Sequence, residues 1–328
     1  MDGWVRLPTV LAWVLLLLSP VATRAEGPQP PTLGLTVVPG ERTYLVGEPF
    51  SLSLIAENAG TASVRVPNSI SDMGSGLVTI TIRDDKGNRS GYDPYVVADI
   101  HYSPKASGIV IPPRSKHTVW LDLTVQGEGV PVWAKPGTYT VEASYAWKRP
   151  EVPLITEISV ASPPVEVKVV SPTGREAKAY AMMLEAPSSS RSAAAAAHYR
   201  KVMAQYPGTR WARWAHLRLA ERLAYGLSEQ QGGGMVAAVR EYRRIVASYP
   251  GFPFVDWARY CVATGLESAG QLREAQEEQE RLLKRAGFPD SLKAMAQAHL
   301  RDISRKLSAP EHAQADDPKP VVPGRPKG

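Results

Sequence analysis

Residues 198–209 read HYRKVMAQYPGT, and residues 241–252 read EYRRIVASYPGF. The second segment begins 43 residues after the first, at 241 against 198. Each runs from an aromatic and a basic residue through helix formers to Tyr-Pro-Gly, where proline stops a helix. Small and apolar residues then recur five, eight, twelve and thirteen positions past each proline. They are Ala212, Ala215, Leu219 and Ala220 after Pro207, and Val255, Ala258, Val262 and Ala263 after Pro250. A weaker third copy is EQERLLKRAGFPD (278–290), offset by about 37. The tri-glycine 232–234 lengthens one connection and accounts for the longer first offset.

Outward from these segments, the apolar period stays near 3.6 from Thr173 onward. Breaks at Pro187-Ser188, Tyr206-Pro207-Gly208, Gly232-Gly233-Gly234, Tyr249-Pro250-Gly251, Ala269-Gly270 and Gly287-Phe288-Pro289 predict helices near 174–186, 190–205, 209–226, 235–248, 254–268, 271–286 and 290–307. The pattern resembles tetratricopeptide repeats, especially the bacterial export-associated kind with an aromatic-Arg/Lys helix ending in Tyr-Pro-Gly. The resemblance covers residues 173–307 and implies paired antiparallel helices with a concave face that binds peptides or proteins. A non-repetitive helical bundle is the competing reading.

Before the helices the period changes to two. LGLTVV (33–38), FSLSLIAE (50–57), SVRV (63–66), LVTITIRD (77–84), HTVWLDL (117–123), TYTVEASY (138–145) and VEVKVV (165–170) alternate, separated by turn residues such as Pro39-Gly40, Gly47-Glu48-Pro49 and Lys135-Pro136-Gly137. Seven such runs predict an antiparallel β-sandwich over 33–171. GEPFSLSLIAENAG, IPPRSKHTVWLDL and KPGTYTVEASY resemble immunoglobulin-like domains of bacterial secreted proteins, without the disulfide and buried tryptophan of antibody domains. The expected class is therefore multi-domain, β then α: an immunoglobulin-like sandwich followed by a tetratricopeptide-like array. The stretch 86–114 holds no strong strand and reads as a long loop across one end.

Residues 1–25 have the three-part secretory pattern: Arg6, an apolar run from Leu7 to Ala22, and Thr23-Arg24-Ala25 before a cut. Cleavage is expected, with a retained anchor as the alternative. A proline-rich spacer (26–32) follows, and the tail 308–328, with five prolines, is too polar to fold. The mature chain is expected in the periplasm or outside the cell, with no stable membrane span. The single Cys261 excludes an internal disulfide and any multi-cysteine metal site, and it reads as a buried thiol.

No residue pattern carries a reaction. Asp84-Asp85-Lys86-Gly87-Asn88 lacks the ligand alternation of a calcium loop and reads as a turn. Asp99, His101 and His117 have no nucleophile at readable spacing, Ser188-Ser189-Ser190 reads as a helix cap, and Gly232-Gly233-Gly234 as a hinge rather than a phosphate loop. No catalytic residue, metal or cofactor is expected. Charge is more telling. The chain is net +6, but residues 173–308 hold 21 basic against 13 acidic side chains, and residues 26–172 hold 12 against 15. Trp211, Trp214, Arg218, Arg222 and Tyr225, spaced 3, 4, 4 and 3, fall on one helical stripe beside the packed face of Ala212, Ala215, Leu219 and Leu223. Aromatics and arginine anchor interfaces, so this stripe is the candidate partner-binding site. Packing against neighbouring helices is the competing reading. The expected partner is a protein or peptide, with an anionic envelope polymer or the chain's own acidic sandwich as other counterparts. Nucleic acid is not expected in an exported chain without a binding motif.

The resulting expectation is a non-enzymatic exported adaptor that binds a protein or peptide partner in the cell envelope through both the helical-repeat groove and the sandwich surface. The alternative is a protease inhibitor or regulator acting through sandwich loops, with Tyr92, Pro94, Tyr95 and Tyr102 as the inserting segment.

Overall fold

Strict alternation along Leu33–Pro39 makes strand β1, in which Leu33, Leu35 and Val37 are buried and Gly34, Thr36 and Val38 face out. The computed structural model describes residues 33–66, 78–91, 109–123, 132–147, 158–186, 193–226 and 234–308. The expected export signal, the spacer, the tail beyond Ser308, and Tyr92, Pro94, Tyr95, Asp99, His101 and Tyr102 lie outside the described residues.

Each of the seven alternating runs is a strand. They are β1, β3 (Ser51–Asn58), β4 (Val64–Val66), β5 (Val78–Arg83), β8 (Ser115–Asp122), β9 (Gly137–Trp147) and β11 (Val165–Val170). Four short strands carry no such signal: β2 (Thr43–Leu45), β6 (Arg89–Gly91), β7 (Ile109–Ile111) and β10 (Ile158–Ala161). Two of these, β6 and β7, lie within 86–114, the stretch that reads as a long loop without a strong strand. β6 closes a hairpin on β5, and its turn is held by the Asp84 carboxylate, which accepts the Lys86 and Asn88 backbone N–H groups at 3.0 and 2.8 Å.

One sheet orders β1-β3-β8 and a second orders β2-β11-β9-β5-β6, with β10 also on β9; β4 and β7 form a separate ribbon. The pairings are antiparallel except β2 with β11, which is parallel and qualifies the all-antiparallel expectation. Inward residues of both sheets, including Leu52, Leu54, Ile80, Val141 and Val167, form one core between the layers. A tryptophan does lie in this core. Trp133 is fully buried against Phe50 and Tyr44, with ring centroids 4.7 and 5.7 Å away. The sandwich is therefore centred on an aromatic cluster as well as aliphatic faces.

Seven helices follow among the described residues: α1 (Gly174–Leu184), α2 (Ala193–Gln205), α3 (Arg210–Gly226), α4 (Gly234–Ser248), α5 (Val255–Ser268), α6 (Leu272–Lys284) and α7 (Asp290–Ser308). From α2 onward each packs chiefly on its neighbours in sequence, whereas α1 rests mainly on α3. The duplicated segments bury matching positions: Ala195, Ala196, Tyr199 and Val202 in α2, and Ala238, Val239, Tyr242 and Ile245 in α4. All eight residues spaced after Pro207 and Pro250 are buried as well. In α6 the corresponding buried residues are Ala275, Gln279 and Leu282.

Gln279 thus occupies the place of a tyrosine, fully buried, and among the described residues neither of its amide atoms has a hydrogen-bond partner. Unpaired buried polar atoms cost stability. Gln279→Met, which keeps the length and removes both, is expected to raise unfolding free energy by about 1–2 kcal/mol. Urea denaturation checks this, and a loss of stability contradicts it.

The sandwich and the helices share a core. Leu45, Trp120 and Val170 pack into the helical cluster, and Trp120 stacks on Trp257 with centroids 6.0 Å apart. The outer edge of β8 is closed by α7: the Thr118 N–H donates to Asp290 Oδ2 at 2.8 Å, and the Trp120 N–H to Ser291 Oγ at 3.1 Å. An uncovered edge would offer those donors to another chain. Replacing both Asp290 and Ser291 with alanine is expected to cost about 2 kcal/mol and to speed amide exchange at Thr118 and Trp120. Unchanged exchange at those two amides would remove the cap from this description.

Candidate functional site

Two constellations stand out, one between the domains and one on the helices. The first is built on the loop 46–50, which leaves β2 and turns at Gly47. Glu48 is buried, 1% exposed, and its carboxylate is surrounded by donors. Oε2 accepts the Leu45 N–H at 2.8 Å; Oε1 accepts Arg210 Nε at 3.0 Å, Trp214 Nε1 at 2.9 Å and Arg213 Nη2 at 3.2 Å. Glu41 bonds both guanidinium groups, and Arg210 Nη1 also donates to the Thr43 carbonyl at 2.9 Å. Arg213 lies over the Phe252 ring, 5.1 Å from its centroid. The acidic sandwich thus meets the basic helices at the first turns of α3. Two glycines allow the approach. A Cβ on Gly40 would lie 2.8 Å from Pro253 Cβ, and one on Gly47 would lie 2.3 Å from Tyr180 Oη.

This junction changes the meaning of the aromatic–arginine stripe. Trp211 is buried and stacks on Tyr180, with centroids 4.6 Å apart. Trp214 is buried between Phe252, Phe254 and Glu48. Arg218 is half-buried and paired with Glu221 at 2.7 Å, Arg222 is half-buried, and the side chain of Tyr225 lies outside the described residues. The stripe is therefore corrected at its two tryptophans: they lie inside the packed face rather than beside it. Helical spacing shows which residues share a face but not what covers that face. Trp214 is 2% exposed, enclosed by both the helical half and the sandwich. Glu41, Glu48, Arg210 and Arg213 belong to no motif in the sequence, where Glu48 reads as a turn residue. The only signal was the opposite charge of the two halves.

The second constellation is a cleft of about 300 Å³ among α4, α5 and α6. Val246, Val262 and Leu282 give it an apolar floor, and Arg243, Arg259, Arg281 and Arg285 surround it with Glu278. Each arginine has an internal partner: Arg243 with Glu274, Arg259 and Arg285 with Asp256, and Arg281 with Glu277 and Glu278. These bonds use one or two of the five N–H donors on each guanidinium.

Elsewhere the ionisable groups serve packing. Burial pushes the Cys261 thiol up to about 12, which removes its nucleophilic form. Among the described residues, no cluster of three His, Cys, Asp or Glu side chains could hold a metal ion. Also among them, no helix is long and apolar enough to cross a membrane. Burial pushes the imidazoles of His117 and His216 below their ordinary value, against the opposing pull of Asp290 and Glu241. The native state then binds fewer protons than the unfolded chain in mildly acid solution. The stability from neutral imidazoles is fully present above the ordinary histidine value of about 6.5 and is lost progressively as pH falls from there through the lower folded values. The urea midpoint should drop from about pH 7.5 to about pH 5.5, and His216→Gln should make that drop shallower. An equally steep drop in the variant would contradict the assignment.

No protein-family model matches the chain, and no curated protein is similar to it in sequence. Among solved structures, the CARDB domain of PF1109 from Pyrococcus furiosus aligns at 12% identity, over 43% of this chain and 90% of that one, with a TM-score of 0.24. The sporulation control protein Spo0M from Bacillus subtilis aligns at 13% identity, over 47% of this chain and 54% of that one, with a TM-score of 0.25. A β-glucosidase from Erythrobacter marinus aligns at 11% identity, over 43% of this chain and 16% of that one, with a TM-score of 0.23. At such similarity no activity or ligand passes to this chain.

Proposed function

We propose that this chain is a non-enzymatic adaptor of the bacterial cell envelope. Its tetratricopeptide-like array binds a protein or peptide partner, and its immunoglobulin-like sandwich braces the array. The supporting observation is the pair of segments offset by 43 residues, in which Tyr199 and Tyr242, and Val202 and Ile245, fill matching buried positions. Stacked helical units of this kind present extended binding surfaces. The export pattern of residues 1–25 supplies the location. Because Trp211 and Trp214 are buried, the surface proposed for the partner is the exposed helix faces instead.

The test is photocrosslinking in intact cells, from a benzoylphenylalanine placed at exposed Val236 or Met295. A discrete, protease-sensitive adduct on the exported protein is expected. Absence of any adduct together with turnover in a hydrolase screen would refute the adaptor reading.

A further inference from the structure

The interhelix groove occurs twice, and only the first is plugged. At the first, His216 of α3 reaches across to Glu241 of α4 at 2.8 Å, and Tyr249 packs edge-on to the imidazole with centroids 5.9 Å apart. His216 is left 5% exposed. Forty-three residues after His216 stands Arg259, and the α6 position matching Glu241 is Glu278. These two do not pair across the groove. Arg259 turns to Asp256 in its own helix at 2.6 Å, and Glu278 to Arg281 in its own at 2.7 Å. The plug is missing too, because in the register that matches Glu241 with Glu278 the third copy has Ala286 where the second has Tyr249. The space that His216 and Tyr249 fill in one groove is, in the other, the open arginine-lined cleft.

We infer that this second groove binds a short acidic segment of a partner protein, an inference that rests on the adaptor reading. An apolar side chain of the segment takes the Val246–Val262–Leu282 floor, where it is removed from water. Its flanking carboxylates take the donors that the arginines leave unused, and guanidinium groups suit carboxylates in paired geometry. The helical half supplies a favourable field, with 21 basic against 13 acidic residues over 173–308. A basic segment would have to displace the guanidinium groups from Asp256, Glu274, Glu277 and Glu278, which already hold them.

The experiment is fluorescence polarisation with the full mature chain and two labelled peptides, Glu-Leu-Glu-Leu-Glu-Leu-Glu and its lysine counterpart. Saturable binding of the glutamate peptide alone is expected, weakening as salt rises. Arg243→Gln with Arg281→Gln, both at exposed side chains, should lower affinity at least about tenfold with helicity intact. Val246→Trp, which fills the cleft, should do the same by a different route. Absence of saturable binding, or equal binding by both variants, overturns the inference. So does a concentration-dependent dimer lost in Val246→Trp, which makes a second copy the occupant. A peptide affinity that rises about tenfold when residues 309–328 are removed makes the chain's own tail the occupant and overturns it as well. If the crosslinked partner is captured undiminished by the arginine variant, the cleft assignment fails while the adaptor reading stands.

Discussion

Glu48→Ala is expected to lower the unfolding free energy by about 3 kcal/mol. Removing one member of a buried ion pair costs more than the pair itself contributes, because the remaining groups stay desolvated and unpaired. Here the substitution strips a partner from two guanidinium groups, the Trp214 indole N–H and the Leu45 N–H together. Arg210 and Arg213 keep some access to water, with side chains 25% and 18% exposed, which holds the figure at the lower end of the range. Glu48→Gln preserves shape and loses charge, so it should cost about half as much. Glu41→Ala should cost less than either, since Glu41 is itself partly solvated, at 22% exposed. Equilibrium urea unfolding decides this. Equal stability of Glu48→Ala and wild type would mean that the junction is not formed in solution.

Gly47→Ala is expected to cost about 3 kcal/mol as well, by an unrelated route. Gly47 has φ of 78°, where a side chain is strained by about 1 kcal/mol. The new methyl would also overlap the Tyr180 ring, with Oη at 2.3 Å and two ring carbons at 2.7 Å. Tyr180 has little freedom to retreat, because it is stacked on Trp211. In a Tyr180→Ala background the overlap disappears and only the backbone strain remains. The same substitution should then cost about 1 kcal/mol, and the difference measures the contact between α1 and the sandwich. If the cost is the same in both backgrounds, α1 does not rest on Gly47.

Both substitutions act at a junction that the sequence hardly announced, for a physical reason. Alternation and helical period are local, so the seven alternating strand runs, including the three-residue β4, and all seven helices among the described residues were legible to within a few residues. The 43-residue echo also gave the matching buried positions, Tyr199 with Tyr242 and Val202 with Ile245. The four missed strands are three or four residues long and exist through their pairing; β2, for instance, is held alongside β11 in parallel. Trp133 lies in the segment before β9, outside any alternating run, so its burial against Phe50 was invisible. The same limit applies to the candidate site. Periodicity placed Trp211 and Trp214 on one stripe, but whether water or the sandwich covers them depends on residues more than 160 positions away, such as Glu48 against Trp214. The cleft was hidden differently. It arises from what the third copy lacks, an aromatic at the end of α6, and an absence of that kind is apparent only beside the filled groove.

The most direct measurement is disulfide trapping between the halves. A Cβ at position 40 would lie 2.8 Å from that of Pro253, about 1 Å less than the usual separation across a disulfide, and 2.7 Å from Ser51 Oγ, so the bond forms once the two backbones part by about 1 Å and the Ser51 hydroxyl turns aside. With Gly40→Cys and Pro253→Cys in one chain, docked domains should give rapid, complete intramolecular crosslinking and leave helicity unchanged; Cys261 is buried and should not compete. If the pair stays reduced under mild oxidation, or joins only between molecules, the sandwich does not rest on the helices and the braced architecture is wrong.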